Sequence, residues 1–253
     1  SKNHIKDTTM NNNKHIDISR AQLPLNRKQR MKKDTYRAYI LLLISCLCFL
    51  PLTTAHANGE HRILVVGDSI SAAYGIDVTA GWVHLLQERL HSTPYAHYEV
   101  INASVSGNTS ADGLSRLPQL LSLYSPETVV IELGGNDGLR GYPTKLMAKN
   151  LQKMIDLSQQ ANAKVVLAGI EIPPNYGERY TLAFRKTFQQ LAQNNTVSYI
   201  PFILENIATQ PQLMQKDSIH PTAEAQPVLL ENMWGAISGL LEEKRDYGAG
   251  YVD

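Results

Sequence analysis

The sequence predicts an α/β fold, a doubly wound, flavodoxin-like sheet of about five parallel strands with helices on both faces. From Arg62 onward, short apolar runs rich in β-branched residues alternate with longer amphipathic stretches, the pattern that makes a parallel sheet covered by helices. The short runs are almost continuously apolar, as strands buried on both faces must be. The chain has 253 residues with 43% hydrophobic residues, no internal repeat and no low-complexity linker, which suits one domain with its own core.

Strands are expected at 63–66, 100–103, 129–133, 165–170 and 197–203. Between them, Trp82, Leu85, Leu86 and Leu90 recur at helical spacing, as do Leu146, Leu151, Met154 and Ile155, predicting crossover helices. Leu182, Phe184, Phe188 and Leu191 mark another over 180–191, and 223–241 reads as the last helix. Right-handed crossovers with short loops place a ligand site beyond the carboxyl ends of the strands, so the strand-to-helix loops are where chemistry is sought.

The first 57 residues stand apart from this pattern. Met31-Lys32-Lys33, Arg37, an apolar run over 38–50 and Ala55-His56-Ala57 together read as a secretory signal peptide cleaved after Ala57. Residues before Met31 are rich in Asn and Lys without apolar periodicity. The expected organisation is therefore an upstream segment and leader at 1–57 and a single domain at 58–253, exported to the periplasm and without stable membrane insertion. Leu43-Ile44-Ser45-Cys46 loosely resembles a lipoprotein-processing sequence, but apolar residues continue past the cysteine to Leu52.

Positions 1–57 hold 10 of the 24 Lys and Arg but 3 of the 23 Asp and Glu, so 58–253 carries 14 basic against 20 acidic side chains, net −6. No basic cluster follows Arg62, which argues against nucleic acid or an anionic membrane as the main partner. Both cysteines, Cys46 and Cys48, lie in the leader, so the exported domain is expected to have no disulfide, Cys nucleophile or Cys-based metal site.

Four loops carry unusual residues. Gly67-Asp68-Ser69-Ile70-Ser71 follows the first strand, presenting Ser69 at a strand end on a tight turn, with Ser71 as a competing nucleophile. The spacing is not Gly-x-Ser-x-Gly, which disfavours the α/β-hydrolase elbow. Asp217-Ser218-Ile219-His220-Pro221 precedes the last helix. A serine hydroxyl becomes a useful nucleophile when an imidazole takes its proton, and a carboxylate three residues away can orient that imidazole. Of the five histidines after residue 57, His84 and His91 fit a solvated helix face and His61 and His97 fit loops, which leaves His220, with Asp217 three residues before it in a strand-to-helix loop, as the candidate base. Ser106-Gly107-Asn108 and Gly134-Gly135-Asn136-Asp137 follow the second and third strands. They offer backbone and amide N–H donors for an oxygen that becomes negatively charged in acyl transfer.

These blocks, with Asn102-Ala103-Ser104-Val105-Ser106-Gly107, Glu132-Leu133-Gly134-Gly135-Asn136-Asp137-Gly138-Leu139-Arg140-Gly141, Pro174-Asn175-Tyr176-Gly177-Glu178-Arg179-Tyr180 and Ile219-His220-Pro221, resemble GDSL or SGNH hydrolases over essentially the whole of 58–253. Within the family they are most similar to thioesterase, lysophospholipase and arylesterase members. The resemblance implies Ser69 as nucleophile, His220 as base and Asp217 as its partner, with Ser69, Gly107 and Asn136 forming the oxyanion hole, and it selects Ser69 over Ser71. Ile70 stands where the family usually has Leu, and Asn108 where an acidic residue is found.

The expected activity is hydrolysis of a small acyl ester or thioester by a monomer through an acyl-enzyme, with no metal or organic cofactor, at a rate rising from mildly acidic to neutral pH. Apolar residues after the third and fourth strands, Leu139, Tyr142, Ile172, Pro173, Pro174, Tyr176 and Tyr180, are candidates to line an acyl groove, with Leu139, Ile172 and Tyr176 foremost. The alternatives are a carbohydrate acetylesterase and a non-catalytic module binding acylated ligands.

Overall fold

A computed structural model describes residues 61–242. The leader, the proposed cleavage site and the domain boundary near residue 57 lie outside the described residues. Five parallel strands, β1 (His61–Gly67), β2 (Tyr98–Asn102), β3 (Thr128–Glu132), β4 (Lys164–Ala168) and β5 (Ser198–Ile200), form one sheet in the order β2-β1-β3-β4-β5. This is the flavodoxin-like order. Every residue of β3 is buried, as is β1 from Ile63 to Gly67, which is why these segments read as unbroken apolar runs.

Six helices surround the sheet: α1 (Trp82–His91), α2 (Ser110–Tyr124), the single turn α3 (Gly135–Leu139), α4 (Thr144–Gln160), α5 (Glu178–Asn194) and α6 (Gln226–Ser238). Helix α1 packs on α6, while α2 packs on α4 and α4 on α5, giving the two helical layers a doubly wound sheet needs. The buried amide of Gln226, at the start of α6, accepts a hydrogen bond from the Trp82 N–H at 3.0 Å, supplying the cap that Gly81 cannot. Among the described residues no helix is long and apolar enough to cross a membrane.

Several boundaries differ from the sequence expectation. The fifth strand stops at Ile200, because Pro201 has no N–H to continue the ladder; the fourth stops at Ala168, after which the Gly169 N–H reaches the Ile200 carbonyl at 2.7 Å. Helix α2 was not foreseen: Gly113 and Pro118 interrupt its sequence and weaken the helical signal. Its start is nevertheless specified by a capping box between Thr109 and Asp112, and it buries Gly113, Leu117 and Leu121. In α4 and α5 the apolar faces are slightly rotated from the expectation, with Leu146 and Leu182 exposed and Met147 and Thr187 buried. His61 is not in a loop; it opens β1 and pairs with Glu127.

Strand β1 is followed by β2 on one side, and the chain then crosses back to place β3 on the other. The loops after β1 and β3 therefore diverge at the topological switch point, where such sheets bind ligands. Gly67 and Glu132 are register partners at the carboxyl ends of these two strands, so Ser69 and Asn136 emerge side by side.

Candidate active site

Ser69 leaves the end of β1 partly exposed, whereas Ser71, two residues on, is buried. The Ser71 hydroxyl donates to Glu132 Oε2 at 2.7 Å and accepts from the Trp82 indole N–H at 3.2 Å. That hydroxyl is committed to the core, whereas Ser69 lines the cleft described below.

His220 Nε2 lies 2.8 Å from Ser69 Oγ, and His220 Nδ1 lies 2.6 Å from Asp217 Oδ2. The other Asp217 oxygen accepts the backbone N–H groups of Ile219 (3.0 Å) and His220 (3.1 Å), an Asx turn that the Asp-x-x-His spacing makes possible. The turn is closed by the Gln215 N–H donating to the His220 carbonyl at 2.7 Å and by left-handed Ser218 at φ +59°. Partial burial by itself raises the Asp217 pKa, but the hydrogen bonds from the His220 ring and the two backbone N–H groups outweigh it and hold the carboxyl at about 2. Asp217 is thus an anion throughout the neutral range.

Opposite His220, the Ser69 and Gly107 backbone N–H groups donate to no other group among the described residues. Gly107 adopts φ +81° with open space where a Cβ would stand, so conformation rather than crowding calls for glycine. Asn136, in the first turn of α3, directs Nδ2 at Asp68 Oδ2 and at the Asn108 carbonyl, each 3.1 Å away. Asp137 faces inward: its carboxylate accepts the Ser110 N–H (2.7 Å) and hydroxyl (2.6 Å), tying α3 to the start of α2.

Beneath Ser69 lies a pair of carboxyls that the sequence reading did not assign. Asp68, buried, accepts the Ile70 N–H on Oδ1 at 3.1 Å and Asn136 on Oδ2. Burial pushes its pKa up to about 6 against the opposing pull of the Ile70 and Asn136 hydrogen bonds and of nearby His220. Glu132, fully buried, accepts the Asp68 N–H at 3.2 Å and the Ser71 hydroxyl on Oε2, and its Oε1 has no hydrogen-bond partner. Burial and the neighbouring Asp68 raise its pKa well above the carboxylate range. A glutamate closing an apolar strand run was the available signal, but its meaning depended on knowing that Ser71 and Trp82 meet it.

A cleft of about 490 Å³ opens from Ser69 and His220, within the usual range for small-molecule sites. Its walls are mostly apolar, including Ile70, Leu139, Ile170, Ile172, Pro173, Pro174, Phe202, Leu204 and Met214. Leu139 and Ile172 are where the sequence placed them. Tyr176 is not among the wall residues; its hydroxyl donates to the carbonyl of the wall residue Leu139 at 2.8 Å, and that of Tyr180 to the Tyr142 carbonyl, outside the wall, at 2.6 Å. Phe202 falls in the expected fifth strand, which in fact ends at Ile200, and Leu204 and Met214 follow in stretches without periodicity, so the sequence marks none of the three as cleft residues. Among the described residues no group of three or more His, Asp or Glu side chains is placed to hold a metal ion.

An open parallel sheet with a serine, an imidazole and a carboxylate in line at its carboxyl edge, beside an apolar cleft, is the architecture of a serine hydrolase. Residues 65–227 match the model of the GDSL-like Lipase/Acylhydrolase family, and the chain belongs to that family: it is an esterase-type hydrolase. It is 49% identical over 201 residues to the esterase TesA of Pseudomonas aeruginosa, covering 79% of this chain and 98% of that protein. It is 41% identical over 185 residues to the thioesterase 1/protease 1/lysophospholipase L1 of Escherichia coli K12, covering 73% and 87%. The crystal structure of the psychrotrophic esterase EstA from Pseudoalteromonas sp. superposes with a TM-score of 0.68 at 44% identity, over 71% of this chain and 98% of EstA.

Proposed function

We propose that the protein hydrolyses carboxylic ester and thioester bonds of acyl substrates through a Ser69 acyl-enzyme. The observation that carries this reading is the 2.8 Å and 2.6 Å line from Ser69 through His220 to Asp217 at the mouth of an apolar cleft. In it, Ser69 Oγ attacks the carbonyl carbon while its proton passes to His220 Nε2, and the Asp217 anion stabilises the imidazolium. The tetrahedral oxyanion is received by the Ser69 and Gly107 N–H groups and by Asn136, which exchanges its bond to the Asn108 carbonyl for one to substrate. His220 then protonates the leaving oxygen or sulfur. Water, deprotonated by His220, releases the acid and restores Ser69.

The volume of about 490 Å³ and the apolar lining of the cleft favour a fatty acyl chain over acetyl, and thus this reading over a carbohydrate acetylesterase. The relatives named esterase, arylesterase and thioesterase/lysophospholipase support the same substrate class. We place residues 58–253 in the periplasm on the strength of the leader-like segment ending at Ala57. Lipid esters such as lysophospholipids are the substrates at hand there. Hydrolysis of p-nitrophenyl esters from acetyl to palmitoyl tests the reading. Turnover should peak beyond acetyl and vanish in Ser69→Ala; turnover that survives this substitution would refute it.

A further inference from the structure

His220 has an aromatic neighbour that the acyl cleft does not account for. The Tyr74 ring lies with its centroid 4.6 Å from that of the imidazole, at an interplanar angle of 42°, yet Tyr74 is 53% exposed. It is held by its backbone rather than by enclosing side chains. The Tyr74 N–H donates to the Ser69 carbonyl at 3.0 Å. Its carbonyl accepts from Gln215 Nε2 at 2.8 Å, and the same nitrogen donates to the carbonyl of Pro221, next to His220, at 3.0 Å. One buttressing amide thus ties Tyr74 to the His220 loop, while the N–H bond ties it to the Ser69 loop. Flanking Ala73 and Gly75 have φ of +58° and +77°, and a Cβ on Gly75 would stand 2.4 Å from Gln215 Oε1. The turn that presents Tyr74 is therefore specific in conformation and in packing.

Tyr74 is absent from the walls of the apolar cleft, which reach His220 through Ser218 and Ile219. The cleft accounts for the acyl half of an ester. The other half must lie against His220 as well, because its oxygen takes the proton from Nε2 when the bond breaks. Outside the cleft, the ring of Tyr74 offers an apolar surface beside the imidazole.

We propose that Tyr74 is a specificity-determining residue that forms the wall for the leaving group, favouring esters whose alcohol half is an aryl or similarly flat ring. This rests on Ser69 and His220 acting as nucleophile and base. Offset or edge-on contact between two rings is favourable beyond the area it buries, and a phenyl leaving group would make it where a small alkyl group could not.

The test compares kcat/KM for phenyl butyrate and ethyl butyrate, which share an acyl group, in the wild type, Tyr74→Phe and Tyr74→Ala. In Tyr74→Ala the phenyl-to-ethyl ratio should fall roughly two- to tenfold, the worth of one aromatic pair, while Tyr74→Phe keeps it. An unchanged ratio in Tyr74→Ala would overturn the proposal. So would equal losses on both esters with a displaced pH–rate profile, since Tyr74 would then act by positioning His220. Thermal unfolding of each variant separates these results from loss of fold. A wild type that cleaves neither ester would instead sink the Ser69–His220 reading, and this proposal with it.

Discussion

Glu132 offers a test of how the floor of the site is built. Its carboxyl is fully buried, and Oε2 is occupied by the Ser71 hydroxyl and the Asp68 N–H. The Ser71 hydroxyl accepts from Trp82, so its own proton points at Glu132, and a proton on Glu132 must sit on the unpartnered Oε1. Burial and the nearby Asp68 carboxylate hold the native pKa well above the ordinary value of 4.5. Between that value and the native pKa the folded chain binds one proton more than the unfolded chain. This stabilising difference is complete below 4.5 and is lost as pH rises, at up to about 1.4 kcal/mol per pH unit. Asp68 contributes a similar loss only up to about pH 6, so the window from pH 6 to 8 isolates Glu132. There the wild type should lose stability relative to Glu132→Gln, which cannot ionise, at up to about 1.4 kcal/mol per pH unit until Glu132 itself ionises. Gln keeps the acceptor and replaces an unpartnered O–H by an unpartnered amide, so the two proteins should be within about 1–3 kcal/mol at pH 5. Urea unfolding of both proteins at several pH values measures the difference. Parallel stability curves from pH 6 to 8 would show that Glu132 is ionised in the native state and refute the reasoning.

Ser71→Ala should keep most esterase activity but lose about 1–3 kcal/mol of stability, because it strands Trp82 Nε1 and Glu132 in the core; denaturation beside ester turnover reads both, and loss of activity in folded protein would contradict the choice of Ser69. For Asn136→Ala, kcat should drop by about 10²–10³ with little change in KM, and a drop smaller than tenfold in steady-state kinetics would remove Asn136 from the oxyanion hole. The Asp217 carboxyl, held at about 2, contributes stability that is present above 3.8 and lost only as pH falls toward 2, so it stays ionised from pH 5 to 8; steady-state kinetics should show Asp217→Asn lowering kcat at every pH in that range, and a loss confined to part of it would refute its role. Leu139→Trp should narrow the cleft and lower kcat/KM for octanoyl esters about tenfold relative to acetyl esters, and an equal effect on both would move the acyl chain elsewhere.

The site is assembled by topology. Gly67 and Glu132 are paired at the ends of neighbouring strands, which brings the Ser69 turn and the Asn136 turn together, where the Asn136 amide bonds Asp68. His220 arrives from 151 residues away in sequence, on a loop preformed by the Asp217 Asx turn. Two of the three residues in the line Ser69–His220–Asp217 are thus local to one short segment, and the third is delivered by strand register.

What the chain declares in one dimension is what short-range physics controls. Runs such as Val129-Val130-Ile131 announce strands buried on both faces, Asp217-x-x-His220 announces a carboxylate able to orient an imidazole, and glycines at strand ends announce loops where donors can approach a substrate. Leu139 and Ile172, apolar residues that follow the third and fourth strands, both line the cleft. Helix α2 escaped because Gly113 and Pro118 weaken the periodic signal that its packing restores. The roles of Ser71, Tyr74, Glu132 and Tyr176 belonged to tertiary structure alone. Nothing near Ser71 in sequence says that Glu132 and Trp82 will meet its hydroxyl, and nothing near Tyr74 says that Gln215 will hold it against His220. Burial and partnership across long separations decide whether such a side chain serves the core or the substrate, because both quantities are properties of the packed chain and not of its local sequence.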